Sequence, residues 1–444
     1  VSYSRYKKII TTETVANSDG NYFNYLLDSD NNYLTSNELV DGYVPIEEIE
    51  EVLRNPISRR FFNLYLLHND ESLKENITEQ VIQTGNLEHT YQQGQTRSLN
   101  ISLMNYKKKK NKVKTKDIDE YEYIWNPSST SGKLWSNTKF KLVLGIALSD
   151  SIYWVDEGVF VTQDPDLNNS DANKTVNLQL LDKFALLDGT ISGKTDSDYT
   201  IPVGSNVQQA IKSLLRLEKD KLGYVYDEKT LIFPSKYANK TTPYTLKKTS
   251  GNTIGEIIIE LANMLFCDVF YNEIGHLVIK DSTEDLDVHN RAVVWNYDKN
   301  NLEFVGVSMK IEWSKIRNKY IVIGSNVNGL LYKGYAENTN PKSEYNTSGS
   351  FGTKVEIITD NLINSPIFCE ERAKYELKKN AMKYISIKFE SIYLPHALPN
   401  DLVRWSFEDY GFLNELFIIQ SISIPLDSKS LMSISITNIK ELPL

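Results

Sequence analysis

Between Arg59 and Asp188 apolar and polar residues alternate over several short stretches. Phe62-Asn-Leu-Tyr-Leu-Leu-His runs into the turn-like Asn69-Asp-Glu. Ser98-Leu-Asn-Ile-Ser-Leu-Met alternates strictly, Phe140-Lys-Leu-Val-Leu repeats the pattern, and Thr175-Val-Asn-Leu-Gln-Leu-Leu adds another copy. A period of two buries one face of a strand and wets the other. Tyr153-Trp-Val and Val159-Phe-Val flank Asp156-Glu-Gly, which reads as a short hairpin connection. These strands predict an antiparallel sandwich or barrel over residues 55–190. Residues 1–54, with Asn/Asp-rich stretches around Asp28–Asn37 and an acidic helix-like run at Ile46–Leu53, read as an N-terminal arm or cap.

The period changes in the middle of the chain. Ser205-Asn-Val-Gln208 has the capping-box pattern, and Val207, Ala210, Ile211, Leu214 and Leu215 follow at helical spacing. Two strand-like pieces come next, Tyr224-Val-Tyr and Leu231-Ile-Phe. The same order then recurs: a second capping box at Thr253–Glu256, an apolar stripe through Ile254, Ile257, Ile258, Leu261 and Leu265, and a hairpin of Asp268-Val-Phe-Tyr with His276-Leu-Val-Ile-Lys. A repeat of roughly 48 residues is too coarse for a solenoid. It predicts two αββ units folding together as one α+β domain, bounded at 191–289.

Residues 290–444 return to strands. Asn318-Lys-Tyr-Ile-Val-Ile-Gly is one, and a Gly/Asn/Ser-rich loop is expected over about 324–352. A helix is capped by Ser365 with Pro366 in its first position, and Cys369, Ala373, Leu377 and Ala381 form its stripe. Ile385-Ser-Ile-Lys-Phe-Glu, Leu416-Phe-Ile-Ile-Gln and Met432-Ser-Ile-Ser-Ile-Thr complete a second β domain. The predicted fold class is therefore mainly β with an α+β insert: two antiparallel barrel- or sandwich-like domains flanking an α+β domain.

Composition narrows the function. At 444 residues the chain exceeds one ordinary core, so about two to four domains are expected. With 41% hydrophobic and 24% charged residues it is globular in type. Lys+Arg at 49 against Asp+Glu at 58 leaves a formal charge of −9, which disfavours a general nucleic-acid binder. The same charge is compatible with a channel through which DNA slides without sticking. Cys267 and Cys369 are expected as buried free thiols, and no Cys/His spacing suits zinc. Val1-Ser-Tyr-Ser-Arg-Tyr-Lys-Lys lacks the apolar segment of a secretory leader, and no apolar run is long enough to span a bilayer. Cytoplasmic synthesis without direct membrane insertion is the expectation.

No nucleophile elbow, phosphate-binding loop, dinucleotide fingerprint or zincin spacing occurs. Asp28-Ser-Asp-Asn-Asn32 starts like a calcium loop, but Tyr33 stands where glycine is needed and Leu39 where the closing carboxylate belongs, so a polar turn is expected. Lys107–Lys110 with Lys112, Lys114 and Lys116 suits phosphate or an anionic surface. Asp117, Asp119, Glu120 and Glu122 follow at once, which favours a solvated, self-neutralising loop. The five histidines, His68, His89, His276, His289 and His396, are scattered. No residue is nominated as catalytic, cofactor-binding or metal-ligating, and no cofactor is expected. The 27 Tyr and six Trp suit sugar stacking or subunit contacts as well as core packing.

Several longer strings carry a family resemblance. Thr84-Gly-Asn-Leu-Glu-His-Thr-Tyr-Gln-Gln-Gly-Gln-Thr-Arg-Ser-Leu-Asn, Leu134-Trp135 with Lys139-Phe-Lys-Leu-Val-Leu-Gly, Gly158-Val-Phe, and Asp182-Lys-Phe-Ala-Leu-Leu-Asp-Gly resemble the first β domain of bacteriophage tail and baseplate hub proteins. Ser250-Gly-Asn-Thr-Ile-Gly-Glu-Ile-Ile-Ile-Glu-Leu-Ala and Tyr271-Asn-Glu-Ile-Gly-His-Leu resemble the α+β wing of those hubs. Ala336-Glu-Asn-Thr-Asn-Pro and Cys369-Glu-Glu-Arg-Ala-Lys-Tyr-Glu-Leu resemble their last domain. The resemblance covers about residues 55–444 and extends to tail-associated, late-control D and VgrG-like hubs. These strings are packing patterns, not active-site signatures.

The resemblance implies a homotrimer whose two tube-like β domains per chain build a pseudo-sixfold ring. Such a ring fits a sixfold tail-tube or distal tail protein above and a threefold spike or fibre below, with a tape-measure protein as further partner and passive passage of DNA through an axial channel. It implies a place in the virion tail or baseplate of a phage or tailocin, assembled in the host bacterial cytoplasm. Many tail-associated members carry a C-terminal peptidase or glycosidase. Here the sequence stops at Leu444 just after the last strand, so no enzyme activity is expected. A receptor- or carbohydrate-binding tail component is the alternative. An enzyme with a spatially assembled carboxylate pair is a third reading.

Overall fold

The structure is a computed structural model that describes residues 13–16, 22–25, 52–54, 60–108, 121–122, 124–127, 133–135, 137–147, 152–169, 174–216, 227, 229–283, 285, 291–298, 303–327, 330–360, 363–380, 385–427 and 430–438. The calcium-loop-like stretch 28–39, the Tyr224-Val-Tyr piece and the basic run beyond Lys108 lie outside the described residues.

Alternation in sequence becomes alternation in burial. The first strands are β1 (Arg60–Leu67), β2 (Leu73–Asn76), β3 (Asn86–Thr90), β4 (Arg97–Met104), β5 (Lys139–Ala147), β6 (Ile152–Thr162) and β7 (Lys174–Asp182). On β4, Leu99, Ile101 and Leu103 are buried while Asn100 is exposed, as its period of two requires. One expectation fails here: Asp156-Glu-Gly does not turn the chain. Asp156 pairs with Val143 and Gly158 with Leu142, so Glu157 is the extra residue of a bulge and β6 runs on unbroken. A bulge takes up one residue without ending the ladder, and Gly158 at φ 151° tolerates the distortion.

The middle segment forms α1 (Val207–Leu215), α2 (Ile254–Asn263), β8 (Cys267–Tyr271) and β9 (Leu277–Asp281). The Thr253 box closes as expected: its hydroxyl accepts from Glu256 N at 3.1 Å, and Thr253 N donates to the Glu256 carboxylate at 3.0 Å. The Ser205 box does not form. Asn206 caps α1 instead, its Oδ1 accepting from Gln209 N at 2.9 Å while its Nδ2 donates to Ala238 O. Its amide reaches two chain segments. Of the two expected hairpins, β8–β9 is complete. Leu231-Ile-Phe contributes a single parallel bridge, Ile232 to Val278, along its flank. Both helices nevertheless share one core through Val207, Ile211, Leu214, Ile254, Ile258 and Leu261.

The last third contains β10 (Val293–Asp298), β11 (Phe304–Ile311), β12 (Lys319–Val327), β13 (Leu330–Glu337), β14 (Val355–Thr359), α3 (Pro366–Asn380), β15 (Ile385–Ser391), β16 (Leu402–Phe407), β17 (Phe412–Pro425) and β18 (Met432–Asn438). The loop expected over 324–352 is shorter than its composition suggested, because Leu330–Glu337 pairs with β12 as a hairpin. Asn318, fully buried, organises what remains of it: its Nδ2 donates to Tyr345 O and Gly352 O, and its Oδ1 accepts from Lys354 N at 2.7 Å. Strands β12–β14 and α3 share their own core of Tyr320, Val322, Cys369, Ala373 and Leu377. Cys267 and Cys369 are both buried free thiols. Among the described residues no helix is long and apolar enough to cross a membrane.

The fold is mainly β, and its two β regions are not separate. Among the described residues fifteen strands form one sheet, with the path β11-β15-β18-β17-β3-β4-β7-β6-β5-β1-β2. The seam is β3 against β17, antiparallel, with Leu87 opposite Ile424 and His89 opposite Ile422. The path is open at both ends and does not close as a barrel. One apolar cluster follows it across the seam, from Leu64, Leu99 and Phe140 to Phe417 and Ile434. Beyond the seam Trp405 stacks on Phe389 and Phe407 and meets Phe417 edge-on at 5.7 Å.

Between β7 and β15 the opposite face of this sheet is largely polar and carries few charges. Asn100 faces Gln179, and Ser102 faces Asn177. Ser98, Glu88, Ser423, Ser433 and Glu390 form one cross-strand row, and Thr90, Ser421, Ser435 and Lys388 form the next.

Helix α3 lies against β12 and β13 over glycines. A Cβ on Gly334 would stand 2.1 Å from Glu370 N, and one on Gly324 2.4 Å from Ile363 O. Gly334→Ala is expected to destabilise this unit by about 1–3 kcal/mol by overpacking. Faster amide hydrogen exchange across 366–380 checks it; unchanged protection there would contradict the packing described.

Candidate functional site: a charged junction between sheet and helix–hairpin unit

The strongest concentration of buried charge lies where the sheet meets the helix–hairpin unit. Lys183 follows β7 in a single 3-10 turn capped by Asp182, and its side chain is fully buried. Its ammonium meets Glu71 Oε1 at 2.6 Å and Asp227 Oδ2 at 2.9 Å, and donates to Gly275 O at 2.9 Å. Three N–H donors thus have three acceptors, which a buried ammonium requires. The Tyr271 ring lies 5.0 Å from the same nitrogen. Glu71 comes from the turn after β1, at φ 67°, and also binds Lys139 at 2.7 Å and Lys229 at 3.0 Å. Burial pushes its pKa up, but the ammoniums outweigh this, Lys183 first, and hold the carboxyl down at about 2.

Arg97, buried at the start of β4, extends the junction. One guanidinium nitrogen donates to Tyr271 O at 2.6 Å, and the other meets Glu273 at 3.2 Å. Beside it the Asp182 carboxylate accepts from Thr96 N, Arg97 N and Phe184 N at 2.6, 2.9 and 2.9 Å. Burial pushes the Asp182 pKa up, against these backbone donors. Close approach is part of the design. A Cβ on Gly275, at φ 82°, would stand 2.9 Å from Val159 on the sheet. Gly94 N donates to Val269 O, tying the β3–β4 connection to β8.

A second node joins three segments at Asp268. Tyr91 Oη donates to its Oδ2 at 2.7 Å, Gln93 Nε2 donates to its Oδ1 at 3.1 Å, and Lys379 from α3 approaches at 3.3 Å. Gln93 also reaches Asn263, and Tyr375 packs on Phe266 with ring centroids 5.0 Å apart. Burial pushes the Asp268 pKa up, but Lys379 and the two hydrogen-bond donors bring it below its usual value. A third contact ties the N-terminal segment to the last strands: Arg54 pairs with Glu303 and lies 4.6 Å over the Trp295 ring.

Sequence reading nominated none of these residues as a site. Yet Arg97, Asp182 and Lys183, Tyr271 with Glu273 and Gly275, and Tyr375 all stand inside the strings that resemble tail hubs. The usable signal was charged residues embedded in packing strings. Glu71 and Asp227 gave no signal, because each stands in a short polar stretch between apolar strings. Of the basic run, Lys107 and Lys108 pair with Glu122 and Tyr121 in a two-stranded ladder.

Buried charge of this kind fixes orientation more than it adds net stability. Lys183→Ala leaves Glu71 and Asp227 without their shared cation, with an expected loss of about 3 kcal/mol or more in denaturant unfolding; an unchanged midpoint would contradict the geometry. Acid has a defined effect. With its pKa lowered from 4.5 to about 2, Glu71 contributes stability in full above pH 4.5 and loses it as pH falls through about 2. Its share is on the order of 3 kcal/mol. The unfolding midpoint of the wild type should fall across that window, and that of Glu71→Gln should fall less; parallel curves would refute the assignment.

No protein-family model matches the sequence, and a search of curated proteins finds no match. Solved structures do match. A tail protein from Neisseria meningitidis MC58 aligns with TM-score 0.54 at 9% identity, over 86% of this chain and 98% of its own. The prophage MuSo2 43 kDa tail protein from Shewanella oneidensis aligns with 0.51 at 12%, over 85% and 98%. Prophage tail protein gp18 from Listeria monocytogenes EGD-e aligns with 0.50 at 13%, over 85% and 95%. Identities this low speak for the fold alone, and the fold is shared along nearly the whole of each tail protein. The chain shares the fold of these tail proteins.

Proposed function

We propose that the chain is the structural hub of a phage-type tail or baseplate: a homotrimeric ring around an axial channel, adapting a sixfold tail tube to a threefold spike or fibre. The observation that carries this reading is the β3–β17 seam, which joins the two β regions of one chain into a single wall. Three such double segments supply six. The wall offers edges for further copies. β11 exposes Val305 and Ile311 at one end of the path, and β2 exposes Leu73 at the other. In this reading residues 1–54 are an arm or cap, 55–190 and 290–444 are the tube-like domains, and 191–289 is a wing held in place by the charged junction.

The tail-protein likeness supports a place in a virion tail or baseplate, of a phage or a tailocin, assembled in the host cytoplasm. The role is structural and non-enzymatic. Its partners are a tail-tube or distal tail protein, a spike or fibre, and a tape-measure protein, with DNA passing through the ring. A second reading, a receptor- or carbohydrate-binding tail component, is favoured by Trp313 and Tyr335, which are 61% and 64% exposed around the β12–β14 sheet. A glycan array separates the two, since an axial hub retains no glycan.

Mass photometry of the full 50.9 kDa chain is expected to show a trimer of roughly 150 kDa at high concentration, and negative-stain images a ring with a central hole. A stable monomer at high concentration would overturn the proposal.

A further inference from the structure

We infer that the buried junction is a self-modification site: Lys183 and Asp227 join through a side-chain amide bond, with Glu71 carrying the proton. The bond does not depend on the hub reading. Lys183 Nζ lies 2.9 Å from Asp227 Oδ2 and 2.6 Å from Glu71 Oε1, and the three side chains are 0, 2 and 3% exposed. An amine nucleophile, an acyl group and a proton acceptor thus meet at hydrogen-bond distance, shielded from solvent. Three contacts hold the reacting pair in place. Gly275 O accepts from Nζ at 2.9 Å, Lys229 N donates to Asp227 Oδ1 at 2.9 Å, and the Tyr271 hydroxyl donates to the Asp227 carboxylate. The ion-paired arrangement is the state from which the bond forms.

The arrangement of charge favours the step. A proton passing from Lys183 to Asp227 removes two buried charges at once, and it leaves Glu71 matched by Lys139 and Lys229. The neutral amine then attacks Cγ of the Asp227 acid. As the C–N bond forms, Glu71 takes a proton from Nζ and delivers it to the departing hydroxyl. The C–O bond breaks and one water leaves, so no oxidant, reductant or cofactor is needed. The N–H that remains on the amide keeps Gly275 O as its acceptor. In bulk water an acid and an amine stay ionised and apart. Partners held in attack geometry react as if at about 10⁵–10⁸ M, and burial removes the solvent that favours their charged forms. The product spans 44 positions of the chain. Asp227 N also donates to Leu215 O at the end of α1, so the bond ties the turn after β7 to the helix–hairpin unit.

Intact-mass spectrometry of the full chain, folded at neutral pH and then denatured, tests this. The wild type is expected to be lighter than its sequence by one water. Proteolytic digestion should release one branched peptide that joins Lys183 to Asp227. Lys183→Arg and Asp227→Ala should each keep the full sequence mass. Glu71→Gln, which leaves both bonding partners in place, should keep it too, with its fold checked by circular dichroism. Wild-type chains at full sequence mass, or a water lost within a single linear peptide, would overturn the bond. A folded Glu71→Gln chain as completely cross-linked as the wild type would overturn the role given to Glu71. The mass is read on single chains, so it stands or falls separately from the trimeric ring.

Discussion

The pairing of Asn86–Thr90 with Ser421–Pro425 is the constraint on which the rest of the molecule depends. These strands lie more than three hundred positions apart, so closing them is costly in chain entropy. What offsets the cost is apolar burial on one face. Leu87, Ile422 and Ile424 stand together at the seam and continue a core that reaches Leu64 in one direction and Ile434 in the other. A slip of one residue would turn Leu87 and Ile424 to solvent and bring Glu88 and Ser423 into the core, which fixes the register. Without the seam the chain would hold two independent β bodies, and the proposed double wall segment would have no fixed curvature.

Charge is divided between two environments. At the junction it is buried and saturated: Lys183 spends its three donors on Glu71, Asp227 and Gly275 O, and Glu71 serves two further lysines. Such a network tolerates few other arrangements, so it holds the helix–hairpin unit at one angle to the sheet. Asp268 does the same for α3 with a smaller set of partners. Between β7 and β15 the outward face of the sheet carries few charges.

Much of the fold was legible because period-two alternation is a direct consequence of half-buried strands. β4, β5, β7, β15 and β18 were each visible as strings of this kind, and the Thr253 box marked its helix to the residue. The errors have local causes. Asp156-Glu-Gly has turn chemistry, but a bulge uses the same residues without reversing the chain. The polar flanks of Leu330–Glu337 hid a hairpin whose Gly334 is there for the passage of α3. Asn206 displaced Ser205 as a cap because its amide serves two segments at once. The junction was the least legible part. Its members come from six places in the chain, so only their coincidence within the resemblance strings hinted at a common role.

The most direct test of the continuous wall is a disulfide across the seam. Glu88 and Ser423 stand directly opposite on β3 and β17, within cross-strand reach of one another. In the double variant Glu88→Cys with Ser423→Cys, oxidation is expected to close a bridge within each chain. Peptide mapping should find it, no covalent dimers should appear on non-reducing gels, and the assembled particle should keep its mass. Bridges that form only between chains, or none under conditions that oxidise free thiols, would show that the two β regions are not one sheet in the folded chain.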